Sequence, residues 1–241
     1  MQKNNLPLNA SKCSVVSYSL KKNCITYQYK IDDETLPRST HFKDLGVTFD
    51  SLLTFNLHID DIIRRSYKML GFVIRNSQAF DNISSIKLLY LAYVRSILEY
   101  CSQVWSPYYQ IHIQALENIQ RKFLKFLWLK GVYPMIGFPH NTLLERFQLK
   151  SLQERRSLAD LQFLYKLING LIDSPEILQL LDLHTPRLSS RNPQTFYLVR
   201  PRINVAKFSP LRRACNTYNT IQDQCDIFNC SLAEIKRVRL I

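Results

Sequence analysis

Ile86, Leu89, Tyr90, Tyr93, Val94, Ile97 and Leu98 stand at offsets of 0, 3, 4, 7, 8, 11 and 12. That spacing is one face of an α-helix with no position missed. A strand cannot use it, because period two would send neighbouring members to opposite sides. Leu88, Leu91 and Ala92 make the same helix apolar on its other sides, which predicts a place at the centre of the packing, with Ser84 or Ser85 as its cap. The same period holds before and after it. Ile59, Ile62, Ile63, Leu70, Val73 and Ile74 predict a preceding helix that Asn56 can cap, and Leu116, Ile119, Phe123, Phe126 and Leu127 predict a following one. The latter should stop near Gly131, with Pro134 beyond.

Upstream of Asn56 the period changes to two. CSVVSYSL and CITYQYKI, parted by KKN, read as two strands, and DDETLP as a turn. THFKDLGVTFD reads as a third strand with a glycine kink, placing Leu45, Val47 and Phe49 on one face. Downstream of Gly131, GVYPMIGFPHN is a loop. The apolar residues from Leu144 to Leu152 and from Leu158 to Ile168 predict two further helices, or one broken helix. Ser174-Pro175 opens a short helix through Leu183. Residues 185–215 have no steady period and read as an extended basic segment, with a short strand at TFYLV, before helices near 210–221 and 231–239. The predicted fold class is α+β, mostly α. A short antiparallel β segment over 1–55 precedes a helical region over 56–130 and a helical, partly extended basic region over 131–241.

Hydrophobic residues make up 46 % of the 241, enough for a real core. No apolar run approaches the ~18 residues of a membrane span, and no secretory leader is visible, so an intracellular site, cytoplasmic or nuclear, is expected. The six cysteines show no C-x-x-C pair and read as reduced, buried small hydrophobes. The five histidines are scattered, with no nucleophile setting around them, and five glycines in all leave no phosphate loop. Asp32-Asp33-Glu34 fits a turn, and Asp60-Asp61 fits the start of a helix, where negative charge suits the dipole. Neither needs a metal, and no cofactor is expected. Charge is more telling. The net is +13, and residues 187–241 alone hold ten Lys/Arg against three Asp/Glu. A basic chain without a membrane segment most often meets nucleic acid. Arg64, Lys68 and Arg75 share one face of the first helix, and Arg121, Lys122 and Lys125 share one of the third. Such faces suit the backbone of an RNA or DNA duplex.

LPLNASKC, HFKDLGVTFDSLLTFNLHI, YLAYVRSILEYCSQVWSP and ALENIQRKFLKFL occur in that order, and KFSPLRRACNTYNTI followed by DIF closes the chain. This series resembles the part of non-LTR retrotransposon reverse transcriptases that follows their catalytic carboxylates, in particular the jockey-like group of insect mobile elements. The resemblance implies roles. Lys12 fits the lysine of an L-N-x-x-K pattern at the palm's end, an accessory group near the nucleotide or its pyrophosphate. Lys43, Asp44, Leu45, Gly46 and Val47 look like the primer-grip hairpin, with Gly46 letting backbone pass close to the primer. The helices from His58 to Leu129 resemble the thumb, which holds the template–primer by its backbone.

The departures matter as much. The chain contains no Y-x-D-D and no finger segment. Magnesium would be held by a palm that this sequence does not include, and Met1 fits an internal methionine at which a gene description starts. The expectation is therefore a polymerase fragment that grips template–primer without polymerising alone. The alternative is an orphan structural remnant with no selected activity. A further expectation is pairing of exposed N-terminal strands with a palm-bearing copy.

Overall fold

The structure is a computed structural model describing residues 9–19, 21, 27–31, 33–131, 138–185, 194–238 and 240. Those residues are mostly helical, with two short antiparallel strand pairs, as expected for the α+β, mostly α class. The chain divides into two compact units, Met1–Asp60 and Asp61–Ile241.

The first unit carries a short helical turn, Ala10–Lys12, then β1 (Lys30–Ile31) and β2 (Glu34–Thr35). Glu34 and Thr35, expected in a turn, instead pair with β1. Residues 22–26, which hold the rest of the KKN turn and the start of the second strand, lie outside the described residues. Val15 makes a single bridge to Arg38, whose guanidinium also donates to Ser17 Oγ and the Tyr27 carbonyl, both at 2.8 Å.

THFKDLGVTFD is not one kinked strand but a hairpin of β3 (His41–Asp44) and β4 (Val47–Asp50). Asp44 pairs with Val47, so Leu45 and Gly46 form the two-residue turn. Both have positive φ, 44° and 86°, which marks the primed turn that matches strand twist. Gly46 is there because glycine has no Cβ to clash in that conformation. Leu45 therefore leaves the Val47–Phe49 face and stands 83 % exposed at the tip. An L side chain in this region costs about 1–2 kcal/mol, and asparagine tolerates it better. Leu45→Asn is thus expected to stabilise the hairpin by up to ~1 kcal/mol. Amide exchange at Asp44 and Val47, the pair that closes the turn, should slow correspondingly, and unchanged or faster exchange would contradict this account of the turn.

Behind the tip, Phe42 stacks on Phe49 across the strands at 5.2 Å, and Phe55 meets Phe49 edge-on at 5.5 Å. Val47 is buried, and buried His58 accepts the Thr48 N–H through Nδ1 at 3.3 Å. The Asp50 carboxylate gathers the next loop by accepting from the N–H groups of Leu52, Thr54 and Phe55 and from the Thr54 hydroxyl, at 2.7–3.1 Å. These bonds hold Leu53 and Phe55 at positive φ. Asn56 is accordingly the first residue of α1 (Asn56–Asn76) rather than its cap, and the boundary between the units falls within this helix.

In the second unit α1 buries Ile62, Ser66, Leu70, Val73 and, just beyond it, Ser77. Next come α2 (Ile83–Tyr90), a wide π-turn (Leu91–Arg95) and α3 (Ser96–Glu99), which run as one helix. Its cap is Asn82, whose side chain accepts from Ser84 and Ser85 N–H, so the neighbouring serines are capped rather than capping. Ile86, Tyr90, Val94 and Leu98 are all fully buried, four residues apart. At 3.6 residues per turn each such step overshoots by roughly 40°, and the wide turn absorbs that drift. The expected all-round burial is not found. Leu88 is 66 % and Tyr93 48 % exposed, so this helix is one-sided.

Cys101, at φ 54°, reverses the chain into α4 (Ser102–Trp105), and Trp105 is buried with its indole N–H on the Tyr100 carbonyl at 2.7 Å. Helix α5 (Gln110–Lys130) ends at Gly131 as expected and buries Leu116, Ile119, Phe123 and Leu127. The two helices expected between 144 and 168 are α6 (His140–Arg146) and α7 (Leu152–Ile168). Helix α7 packs against α3, α4 and α5, which precede it, and against the two last helices of the chain. Helix α8 (Pro175–Leu178) is shorter than expected, because Leu183 forms an antiparallel bridge with Phe196. That bridge is all the structure shows of the strand expected at TFYLV. Helices α9 (Asn204–Lys207), α10 (Pro210–Ile221) and α11 (Leu232–Arg237) complete the unit, the last with a Ser231–Glu234 capping box. Leu161, Leu164, Phe196, Cys215, Tyr218, Ile227 and Ile235 close a core around α7 and α10. Burial pushes the Cys215 thiol up to about 12, so it behaves as a small hydrophobe.

Candidate nucleic-acid interface

The expected contact residues fall into two sets, one in each unit. In the first, Lys43, Asp44, Leu45 and Gly46 are exposed around the primed turn. Val47 differs: it is buried, so it is not part of the exposed tip. Lys12 ends its short helical turn and is exposed. The Asn9 side chain stiffens that turn by accepting from the Ser11 N–H at 3.1 Å and hydroxyl at 2.6 Å.

In the second unit, Arg64, Lys68 and Arg75 are exposed on α1, opposite its buried Ile62–Ser66–Leu70–Val73 line. They are not equally available. Arg64 pairs with Asp61 at 2.6 Å, and Arg65 holds the other oxygen of the same carboxylate at 2.9 Å. Such exposed pairs contribute ~0–1 kcal/mol and exchange readily for a phosphate. The Arg75 guanidinium lies back over Gly71, where an added Cβ would meet Nη1 at 3.3 Å.

On α5, Arg121, Lys122 and Lys125 are all exposed. Arg121 sits over the Phe138 ring at 5.8 Å, and its charge helps hold the half-buried His140 below the usual histidine range, after burial itself. Lys122 sits over the Tyr67 ring of α1 at 5.3 Å. Further along, Lys130 donates to the Gln78 carbonyl at 2.5 Å, just past the end of α1. These two contacts place the basic faces of α1 and α5 side by side, running in the same direction. Phe72, 49 % exposed, lies in line with Lys68 and Arg75 and adds an aromatic surface to the cationic one.

Sequence reasoning missed the charged residues that face inward. Arg156 and Asp160 lie on the buried side of α7, four apart and between Leu152 and Leu164. That register was readable: a charged side chain at an apolar position of a helix is forced inside. Arg213 on α10 reaches Asp160 at 2.6 and 3.1 Å. Glu99 is held by Nε and Nη2 of Arg155, the latter at 2.8 Å, and by Arg95 at 3.6 Å.

Polymerase chemistry by the two-metal route needs carboxylates that converge. Among the described residues no three of His, Cys, Asp and Glu are grouped so as to hold a metal ion. Nor, among them, is any helix long and apolar enough to cross a membrane.

No protein-family model matches the chain, and no solved structure matches it. One curated protein of Drosophila melanogaster, described as "Probable RNA-directed DNA polymerase from transposon X-element", is 26 % identical over 125 residues. The match takes in 51 % of this chain but only 14 % of the Drosophila protein's length. About half of the chain thus forms a region distantly related to a retrotransposon reverse transcriptase.

Proposed function

We propose that this chain is a fragment of a retrotransposon RNA-directed DNA polymerase that grips the backbone of a template–primer duplex and does not polymerise alone. The observation that carries the reading is the junction of the two basic helix faces through Lys122 and Tyr67, which makes one cationic, aromatic-edged surface from α1 and α5. Lys68, Lys122 and Lys125 are its phosphate contacts, with Arg64, Arg75 and Arg121 at its margins. The β3–β4 tip supports the same reading. It offers exposed backbone at Leu45 and Gly46, with Lys43 beside it, where a strand's terminal phosphates can approach without a Cβ in the way of Gly46. Lys12 is the accessory cation for a nucleotide's phosphates.

Backbone binding of this kind is blind to sequence and sensitive to salt. If about five phosphates are contacted, the logarithm of affinity falls with that of salt at a slope of roughly −4 to −5. Between 50 and 200 mM salt that amounts to a loss of roughly 250- to 1,000-fold. The measurement is fluorescence anisotropy of a labelled RNA–DNA hybrid titrated at several salt concentrations. Replacing Lys68, Lys122 and Lys125 together by Ala should flatten the slope by about 3. No affinity at low salt, or a slope indifferent to the triple replacement, would leave an inert remnant as the better description.

A further inference from the structure

A second concentration of positive charge lies away from that surface. Between the start of α5, α7, α10 and residues 200–208, the second unit encloses a cleft of about 580 Å³. Arg156, Arg200, Lys207, Arg212 and Arg213 line it, and no Asp or Glu does. Arg213 is already neutralised by Asp160, and its other N–H groups go to the carbonyls of Phe208 at 2.9 Å and Gln103 at 2.7 Å. The remaining four make no ion pair among the described residues.

Arg156 is the informative one. It is 2 % exposed, yet neither Nη1 nor Nη2 has a hydrogen-bond partner. Three carboxylates act on it, Glu117, Asp160 and Glu99. Each is engaged elsewhere: Glu117 accepts the Gln153 N–H at 2.7 Å, Asp160 holds Arg213, and Glu99 holds Arg155 and Arg95. Burial pushes the guanidinium down to about 10, so at neutral pH it still carries its charge. A buried cation without a counter-ion is destabilising, and native proteins rarely keep one unless something else supplies the anion. A stacked pair, Tyr108 on Phe208 at 4.7 Å with rings 4° from parallel, forms a firm apolar part of the wall. Ser157 and Asn216 add uncharged hydrogen-bonding groups.

We propose that this cleft binds a phosphate group, with Arg156 as its buried counter-ion and Arg200, Lys207 and Arg212 as the surrounding charge. The planar guanidinium fork matches two phosphate oxygens at once, and the low-polarity wall strengthens the attraction. Arg156 lines the cleft while its terminal nitrogens are sealed from water, so an anion meets them by a movement of that side chain. The site is separate from the duplex-binding surface and stands or falls without it.

The test is calorimetric titration of the full chain with inorganic phosphate and, separately, with a short single-stranded oligodeoxynucleotide, chloride holding the ionic strength constant. The parent chain should bind at least one of them. Arg156→Met should bind it about 10- to 100-fold more weakly. The same variant, free of ligand, should melt a few degrees higher, because an uncompensated buried charge has been replaced by an apolar chain of similar length. A purely structural arginine would show the reverse pattern, a lower melting point and unaltered binding, and that result overturns the proposal. If Arg156→Met does not fold, Lys207→Ala at the exposed rim decides: weakening of about three-fold or more supports the site, and none rejects it. Binding of inorganic phosphate assigns the site to a free phosphate, and binding of the oligonucleotide alone, retained in the triple Lys68, Lys122, Lys125 variant and weakened by Arg156→Met, assigns it to a strand's phosphodiester. The triple Lys68, Lys122, Lys125 variant should leave phosphate binding unchanged, so failure of the duplex surface and failure of this site are read separately.

Discussion

Arg213→Ala should destabilise the second unit by about 3–5 kcal/mol, the range for removing one partner of a buried ion pair. The side chains involved are 16 % and 2 % exposed, so solvent does little to screen them. Arg213 makes two bonds to Asp160 and one each to the carbonyls of Phe208 and Gln103, tying α10 to α7, α4 and the turn after α9. Without it, Asp160 is a buried carboxylate with its hydrogen bonds gone. Burial already pushes that carboxyl upward, against the pull of Arg213. Loss of the arginine moves it further up. A carboxyl whose folded pKa lies above its unfolded one binds protons better in the folded state. The variant's deficit is therefore greatest at neutral pH and shrinks as pH falls toward ~4. Urea unfolding at both pH values measures this, and Arg213→Ala/Asp160→Leu should recover much of the loss at neutral pH. A deficit under ~1 kcal/mol, or one independent of pH, would mean that the pair is solvated rather than buried.

Phe123→Ala is expected to cost about 3–5 kcal/mol. The ring is fully buried and stacks on Tyr90 at 4.0 Å, 6° from parallel. Truncation opens a cavity and strips one face of a second buried ring. That second ring cannot simply move in to fill the gap. The Tyr90 hydroxyl donates to Gln120 Oε1 at 3.1 Å, and Gln120 donates on to the Lys150 carbonyl at 3.0 Å. Tyr90→Phe, which breaks the first of these bonds and leaves a buried amide oxygen without its donor, should cost about 1–2 kcal/mol. Leu88→Ala on the same helix, 66 % exposed, should stay within ~0.5 kcal/mol. Comparable losses at Leu88 and Phe123 would show that the helix is buried all round after all, and thermal or urea unfolding of the three variants separates the cases.

These experiments also mark how far the residue pattern could be read. Helices α1, α5, α7 and α10 were legible because each carries a continuous apolar line at helical spacing, and packing only had to accept it. The β3–β4 hairpin was half legible. Gly46 announced a turn, but Leu45 is a poor residue for a positive φ, so alternation alone favoured one bent strand. The face buried by the helix at 83–99 was misjudged because Leu88 and Tyr93 are as apolar as Ile86 and Tyr90. Only the partner helices decide which apolar residues are covered. The basic helix faces were visible as stripes, whereas the contact of Lys122 with Tyr67, fifty-five positions away, was not.

Local periodicity and turn chemistry, written along the chain, determined where the helices lie, where α5 stops and that a tight turn sits at Gly46. They act over a few residues and need no knowledge of the rest. What became of the positive charge was settled by tertiary structure alone. Among the arginines of α7 and α10, Arg213 finds a carboxylate 53 residues away and Arg155 finds one 56 residues away, while Arg156 is folded inside near carboxylates that other groups already engage, its terminal nitrogens without a hydrogen bond. A guanidinium is the same group in each case. Coulomb attraction depends on distance and on the water that remains between the charges, and both are fixed only when the helices close on one another.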